Sequence, residues 1–169
     1  MQTVQKREYY YKSRLAIVRD AEIDDVFQLA SNLREADIQE IWKSHHIKPR
    51  AALLGGFKES ELCFTIERQE QPIAMLGVMP PQTLLGNSAI IWLLASPELE
   101  KVQRAFIKRS RYFIKGMLQR YSMLENWVDN ENKKSIEWLK WCGFTLESPK
   151  PYGVEGKPFR YFYIKRGKV

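Results

Sequence analysis

The stretch "NENKKSIEWLKWCGF", residues 130–144, decides how the rest of the chain is read. Asn130, Glu131 and Asn132 are polar residues able to cap a helix, and Asn is among the preferred capping residues. Ser135, Ile136, Leu139 and Cys142 then recur at helical spacing, and Gly143 stands where the left-handed backbone that ends a helix is easiest to adopt. This predicts a helix of about three turns laid on a sheet. The flanking runs "MLENWV" and "FTLES" are rich in β-formers, so the region reads as strand, helix, strand.

Working outward, "ELEKVQRAFIKRSRYFIKGMLQRY" reads as the longest helix, entered after Pro97 stops the strand "SAIIWLLAS". Before it, "ELCFTIERQEQPIAMLGVMP" reads as two strands about a polar turn at Arg68 to Gln71, and Gly86-Asn87 marks the next turn, which gives an antiparallel meander. Near the start, "LAIVR" is a short strand, Asp20 is placed to cap the amphipathic helix "AEIDDVFQLASNL", and two further helical segments follow, "READIQEIWKS" and "KPRAALLGGFKES". At the other end, the loop "PKPYGVEGKP" leads to a last strand, "FRYFYIKR". The expected architecture is one α/β (α+β) domain over residues 1–169, a mixed, mostly antiparallel sheet of about six or seven strands flanked by helices, with residues 1–13 as a mobile arm.

Composition narrows the class. A chain of 169 residues with 44% hydrophobic and 12% aromatic content can bury a core, which argues against disorder. Its longest apolar run, "AIIWLLA", is far short of a bilayer span, and the basic start lacks a signal-like apolar segment, so a cytosolic location is expected. Cys63 and Cys142 are too few and too scattered for a disulfide framework or a zinc site, and His45-His46 lacks a second set of ligands, so no metal is expected. The net charge of +7 favours anionic partners without choosing among them. Lys101, Arg104, Lys108, Arg111 and Lys115 fall on one face of the long helix, opposite Leu99, Val102, Phe106, Phe113 and Met117. Such a stripe reads first as a solvated face, and as a partner or phosphate surface second. The aromatic and basic "KREYYYKSR" has the interleaving used by single-strand binders, but with no nucleic-acid-binding motif that function ranks last.

The order of elements, with Asn132, Ser135, Ile136, Trp138, Leu139, Gly143 and Phe144 on the closing spacing of a last helix, resembles the GNAT superfamily of acyl-CoA-dependent N-acyltransferases. The resemblance implies that acetyl-CoA or another acyl-CoA lies in the splay between the fourth and fifth strands, held by Leu93, Leu94, Ala95, Asn132 and Ser135, while an acceptor amine attacks its thioester. For Asn132 a helix cap is the alternative role, and both roles are compatible. Glu67 and Glu125, on or beside strands, are the candidate general bases, with ordinary solvent-facing strand positions as the alternative. Two positions depart from the superfamily's pattern. The turn after the fourth strand, "ASPELEKVQRAF", has no glycine to cradle a diphosphate and carries Glu98 and Glu100, and Leu139 replaces the tyrosine that protonates the leaving thiolate. Tyr121, Tyr152 and Tyr161 to Tyr163 are the phenols that could substitute.

From about Lys48 to Lys165 the chain is also similar to the T7-like bacteriophage internal virion protein A family, through "WLLASPELEKVQRAFIKRSRYFIKGMLQRYSMLENWVDNENKKSIEWLKWCGF" and "PFRYFYIKR". That likeness implies a phage-encoded protein in the cytoplasm of an infected bacterium or in the virion, with virion or host proteins as partners. Two functions stay open: a divergent N-acyltransferase, or a non-catalytic virion-associated protein that keeps the fold as a scaffold.

Overall fold

A computed structural model describes residues 9–81, 83 and 86–168. The elements run β1 (Tyr9–Lys12), β2 (Ile17–Asp20), α1 (Ile23–Ala30), α2 (Glu35–His45), α3 (Pro49–Glu59), β3 (Leu62–Arg68), β4 (Gln71–Met79), β5 (Ser88–Ala95), a 3₁₀ turn (Pro97–Val102), α4 (Gln103–Arg120), β6 (Met123–Asp129), α5 (Lys133–Cys142), β7 (Thr145–Leu146), β8 (Lys150–Tyr152) and β9 (Lys157–Lys165). The strands form one sheet in the order β1-β2-β3-β4-β5-β6-β9-β7, with β8 paired to β9. Every pairing is antiparallel except β5 with β6.

Strand side chains alternate between the two faces, and the core divides accordingly. Phe64, Ile66, Leu76, Val78 and Ile91 pack towards α4 and α5 with Ile114, Leu118, Ile136 and Leu139. Met75, with Cys63, Trp92 and Leu94, packs on the opposite face against Val26, Leu29, Ile41 and Leu53 of α1 to α3. The sheet is therefore covered on both faces, which is why β4 is buried at every position from Pro72 to Val78.

Four local expectations change. Tyr9–Lys12, expected within an arm, pairs with β2 as an edge strand, because Tyr11 packs against the core with the Arg109 guanidinium 4.5 Å over its ring; residues 1–8 lie outside the described residues. Asp20 does not cap α1. It ends β2, and Glu22 takes the cap position, its N–H donating to Asp25 Oδ2 at 2.8 Å. The long helix is preceded by a separate 3₁₀ turn at Pro97–Val102. Finally, Lys150–Tyr152 inside the expected loop pairs with β9, bringing the described strands to nine. The stop at Gly143 is as the spacing predicts: its φ is +95°, and the Phe144 N–H donates back to the Leu139 carbonyl.

Candidate functional site

β5 and β6 pair only at Ser88–Met123, Ala89–Leu124 and Ile90–Glu125, and beyond that their C-terminal halves separate. Backbone N–H and C=O groups point to alternate edges of a strand, so those of Ile91, Leu93 and Ala95 face the gap. The first missing rung is filled by Asn126, whose Nδ2 donates to the Ile91 carbonyl at 2.8 Å while its Oδ1 accepts the Trp127 N–H at 2.8 Å.

The far ends of both strands are held by α2. Asp37 Oδ2 accepts the N–H of Ala95, the last residue of β5, at 2.9 Å. One helical turn on, Glu40 Oε2 accepts the N–H of Asp129, the last residue of β6, at 3.1 Å. Helix α2 thus straddles the fork and keeps it open. Between these two closures the N–H and C=O of Leu93 find no partner among the described residues.

The gap widens into a cleft of about 440 Å³, within the range of small-molecule sites. Its floor is apolar, with Trp92, Leu94, Val128, Leu139, Phe159 and Phe162 among its residues. The Trp92 indole lies flat across Gly56 and Gly77, where an added Cβ would come within 2.7 and 2.4 Å of the ring, and its Nε1 donates to Ser60 Oγ at 2.8 Å. Polar lining comes from Glu40, Ser44, His45, Glu59, Asn126 and Ser135, with carboxylates present and no Lys or Arg among the described residues.

Glu40 is the most perturbed group in this lining. Burial pushes its carboxyl up to about 7, and the Asn132 side chain and Asp129 N–H, both bonded to Oε2, only partly offset that. Asp37 and Asp129 nearby raise it further. The effect is a carboxyl that changes charge near neutral pH. Tyr152 is the tyrosine of the lining, stacked on Trp127 with ring centroids 4.4 Å apart. Burial, with a smaller contribution from the Glu40 charge, holds its phenol above the usual value, so it keeps its proton at neutral pH.

The site residues expected from sequence fall in different places. Leu93, Leu94 and Ser135 line the cleft. Ala95 stands at its edge, with its N–H taken by Asp37 and its C=O accepting the Arg34 N–H at 2.8 Å. Asn132 caps α5, its Oδ1 accepting the Ser135 N–H at 3.3 Å, and its Nδ2 also donates to Glu40 at 3.1 Å, so the cap orients the cleft carboxylate. Glu67 lies outside the lining. It is 6% exposed and accepts from Arg19 Nε at 2.8 Å, in a cluster completed by Asp25 and Thr65. Glu125 sits below the fork, where β5 and β6 still pair, and accepts a short hydrogen bond from the Tyr161 hydroxyl. Tyr121 donates to Glu61 at 2.5 Å, away from the cleft. Asp37, Glu40 and Asn126 were not anticipated. The available signal was in α2, where Asp37 and Ser44 share a buried stripe with Ile41.

The glycine-free turn after β5 has the acidic groups that the sequence suggests. Glu98 pairs with Arg68 at 3.2 Å and Lys101 at 2.6 Å, and Glu100 pairs with Lys134. The adjacent basic side chains lower both carboxyls, so both stay ionised at this turn. No group of three or more His, Cys, Asp or Glu side chains is arranged to hold a metal ion among the described residues, and no helix there is long and apolar enough to cross a membrane.

Solved structures share this fold over nine-tenths of the chain or more. The chain superposes on Ard1 from Thermoplasma volcanium with a TM-score of 0.66 at 14% identity, over 90% of this chain and 98% of that one. This chain has a GNAT-like fold. A GNAT-family acetyltransferase from Bacillus anthracis gives 0.63 at 15% identity, over 94% and 98% of the two chains. Spermidine N-acetyltransferase from Vibrio cholerae, whose structure holds CoA and spermine, gives 0.61 at 18% identity, over 92% and 98%. No family model matches the chain and no curated protein does, so the likeness to a phage virion family rests on its sequence pattern alone.

Proposed function

We propose that this protein is a divergent N-acyltransferase whose donor is a thioester on a pantetheine arm, acetyl-CoA or another acyl-CoA being the soluble form. The observation that carries the reading is the open rung at Leu93, set in an apolar cleft opposite a carboxyl that titrates near 7. An arm of alternating amides and methylenes lies between β5 and β6 as a strand would, its amide N–H donating to the Leu93 C=O and leaving the Leu93 N–H free for the thioester oxygen. Glu40 takes a proton from an ammonium acceptor, and the freed amine attacks the thioester carbon. The C–N bond forms as the C–S bond breaks, the Leu93 N–H stabilises the developing oxyanion, Tyr152 gives its proton to the departing thiolate, and the second proton shed by the new amide nitrogen restores the Tyr152 phenol. The carboxylates of the lining, with no Lys or Arg among its described residues, support a cationic acceptor.

Thiol release from acetyl-CoA, measured with a panel of primary amines, tests this. The paired variant is Leu93→Pro, which deletes an N–H that makes no ladder bond and so leaves the sheet formed. Loss of one such oxyanion donor lowers kcat by about 100- to 1000-fold. Equal turnover in the wild type and a folded Leu93→Pro variant would remove the oxyanion role, and absence of transfer to every amine would remove the reading.

The glycine-free turn and Leu139 favour a second reading, a non-catalytic phage protein that uses the fold to meet virion or host partners in the infected cell. Under that reading the pH response of Glu40 persists but no donor enters the cleft.

A further inference from the structure

The donor end of the cleft does not resemble a nucleotide site. The Ala95 N–H that faces it is already occupied by Asp37, and the turn that follows carries Glu98 and Glu100. A narrow pocket of about 40 Å³ shares Leu93, Ser135 and Trp138 with the cleft and lies between the starts of α4 and α5, where Arg34, Gln103, Lys134 and Glu100, itself paired with Lys134, also line it. Along its outer side runs α4, whose 18 residues include six Lys or Arg and no Asp or Glu. Several of these have internal work. Arg111 donates to the Trp141 carbonyl at 3.0 Å and covers the Trp141 ring, Arg109 covers Tyr11, and Arg120 pairs with Glu61. Arg104, Lys108 and Lys115 are exposed and have no partner among the described residues. They form a positive stripe about 16 Å long.

We propose that the acyl donor is presented by an acidic carrier protein, which docks on the Arg104–Lys108–Lys115 face of α4 and passes its phosphopantetheine arm along the α4–α5 pocket into the cleft. The inference rests on the acyl-transfer reading above. Charge complementarity selects the occupant. The carboxyl groups of the cleft, Glu40 and Glu59, and the basic α4 face separate a cationic acceptor from an anionic donor partner. A carrier-borne arm needs no diphosphate cradle, so the glycine-free turn and the occupied Ala95 amide become features of the site.

The test titrates the wild type and the Arg104→Gln, Lys108→Gln, Lys115→Gln triple variant with three donors, acetyl-pantetheine, acetyl-CoA and an acetyl-loaded fatty-acid acyl carrier protein. The readout is the fluorescence of the cleft residues Trp92, Trp127 and Trp138. Acetyl-CoA and acetyl-pantetheine should bind alike, within about threefold. The carrier should bind the wild type at least about tenfold more tightly than acetyl-pantetheine does, lose that advantage in the triple variant, and weaken steeply with salt. Acetyl-CoA binding tenfold more tightly than acetyl-pantetheine would overturn the carrier proposal and leave acyl transfer standing. Equal carrier affinity in the wild type and the folded triple variant would also overturn it. So would stripe-dependent binding of a duplex oligonucleotide that exceeds carrier binding, since it would assign the face to nucleic acid. Failure of acetyl-pantetheine to enter the cleft would remove the acyl-transfer reading itself.

Discussion

Replacing Glu40 with Gln isolates the charge of the cleft carboxyl. The Gln amide oxygen can still accept from the Asp129 N–H and Asn132 Nδ2, each now at 3.1 Å, so the change removes charge and little else. Glu40 has an ordinary value of 4.5 and a folded value of about 7. Below 4.5 the carboxyl is neutral in both states. Between 4.5 and about 7 the unfolded chain ionises while the folded protein keeps its proton, so stability falls as pH rises across that window and the loss is complete above it. At about 1.4 kcal/mol per pH unit this interval amounts to about 3 kcal/mol. Gln never ionises, so at pH 8 the variant should exceed the wild type by about 3 kcal/mol, or about 6–12 °C in Tm, with the two converging near pH 4. Urea denaturation followed across that pH range reads the difference directly. Coincident curves at pH 8, or a constant offset from pH 4 to pH 8, would refute the desolvated-carboxylate argument. In the transfer assay the same variant should lose the rise in kcat/KM that the wild type shows as pH passes 7, because an amide cannot accept the proton.

Asn132→Ala removes both the α5 cap and the hydrogen bond to Glu40; it should cost about 1 kcal/mol for the cap, and a Glu40 titration midpoint moved above the wild-type value, followed by NMR, separates the second role from the first. Gly77→Ala forces a Cβ against the Trp92 indole and Ser60 Oγ, so it should lower stability by about 1–3 kcal/mol and alter the fluorescence of Trp92; unchanged values for both would contradict the close packing of the cleft floor. Arg19→Met strands Asp25 and Glu67 in the core and should destabilise by about 3–5 kcal/mol, whereas Glu67→Gln should lower stability without touching kcat; a selective loss of kcat in the latter would return Glu67 to the chemistry.

Local chemistry made much of the fold legible. The β-rich runs that became β3 to β6, the Asn132 cap and the Gly143 stop all depend on neighbours a few residues apart, which is what local sequence reports. The edge strand Tyr9–Lys12 and the short β8 were not legible. Their pairing depends on partners β2 and β9 and on distant aromatic contacts, not on any local pattern.

The candidate site divides along the same line. Leu93, Leu94 and Ser135, carried over from the resemblance, line the cleft. The status of Ala95 was not legible, since its amide is occupied by Asp37 from a helix far earlier in the chain. Glu67 and Glu125 look alike in sequence, as carboxylates on strands, yet one is neutralised in the core by Arg19 and the other is bound to Tyr161. Glu40 looks like any polar residue on a surface helix. What sets its chemistry is desolvation beneath α5 and β6, with Asn132, ninety-two residues on, donating to it. Periodicity records which face of an element turns inward. Which charge then meets which, and how dry that meeting is, depends on how α2 lies across the fork between two strands, and that is settled by tertiary packing.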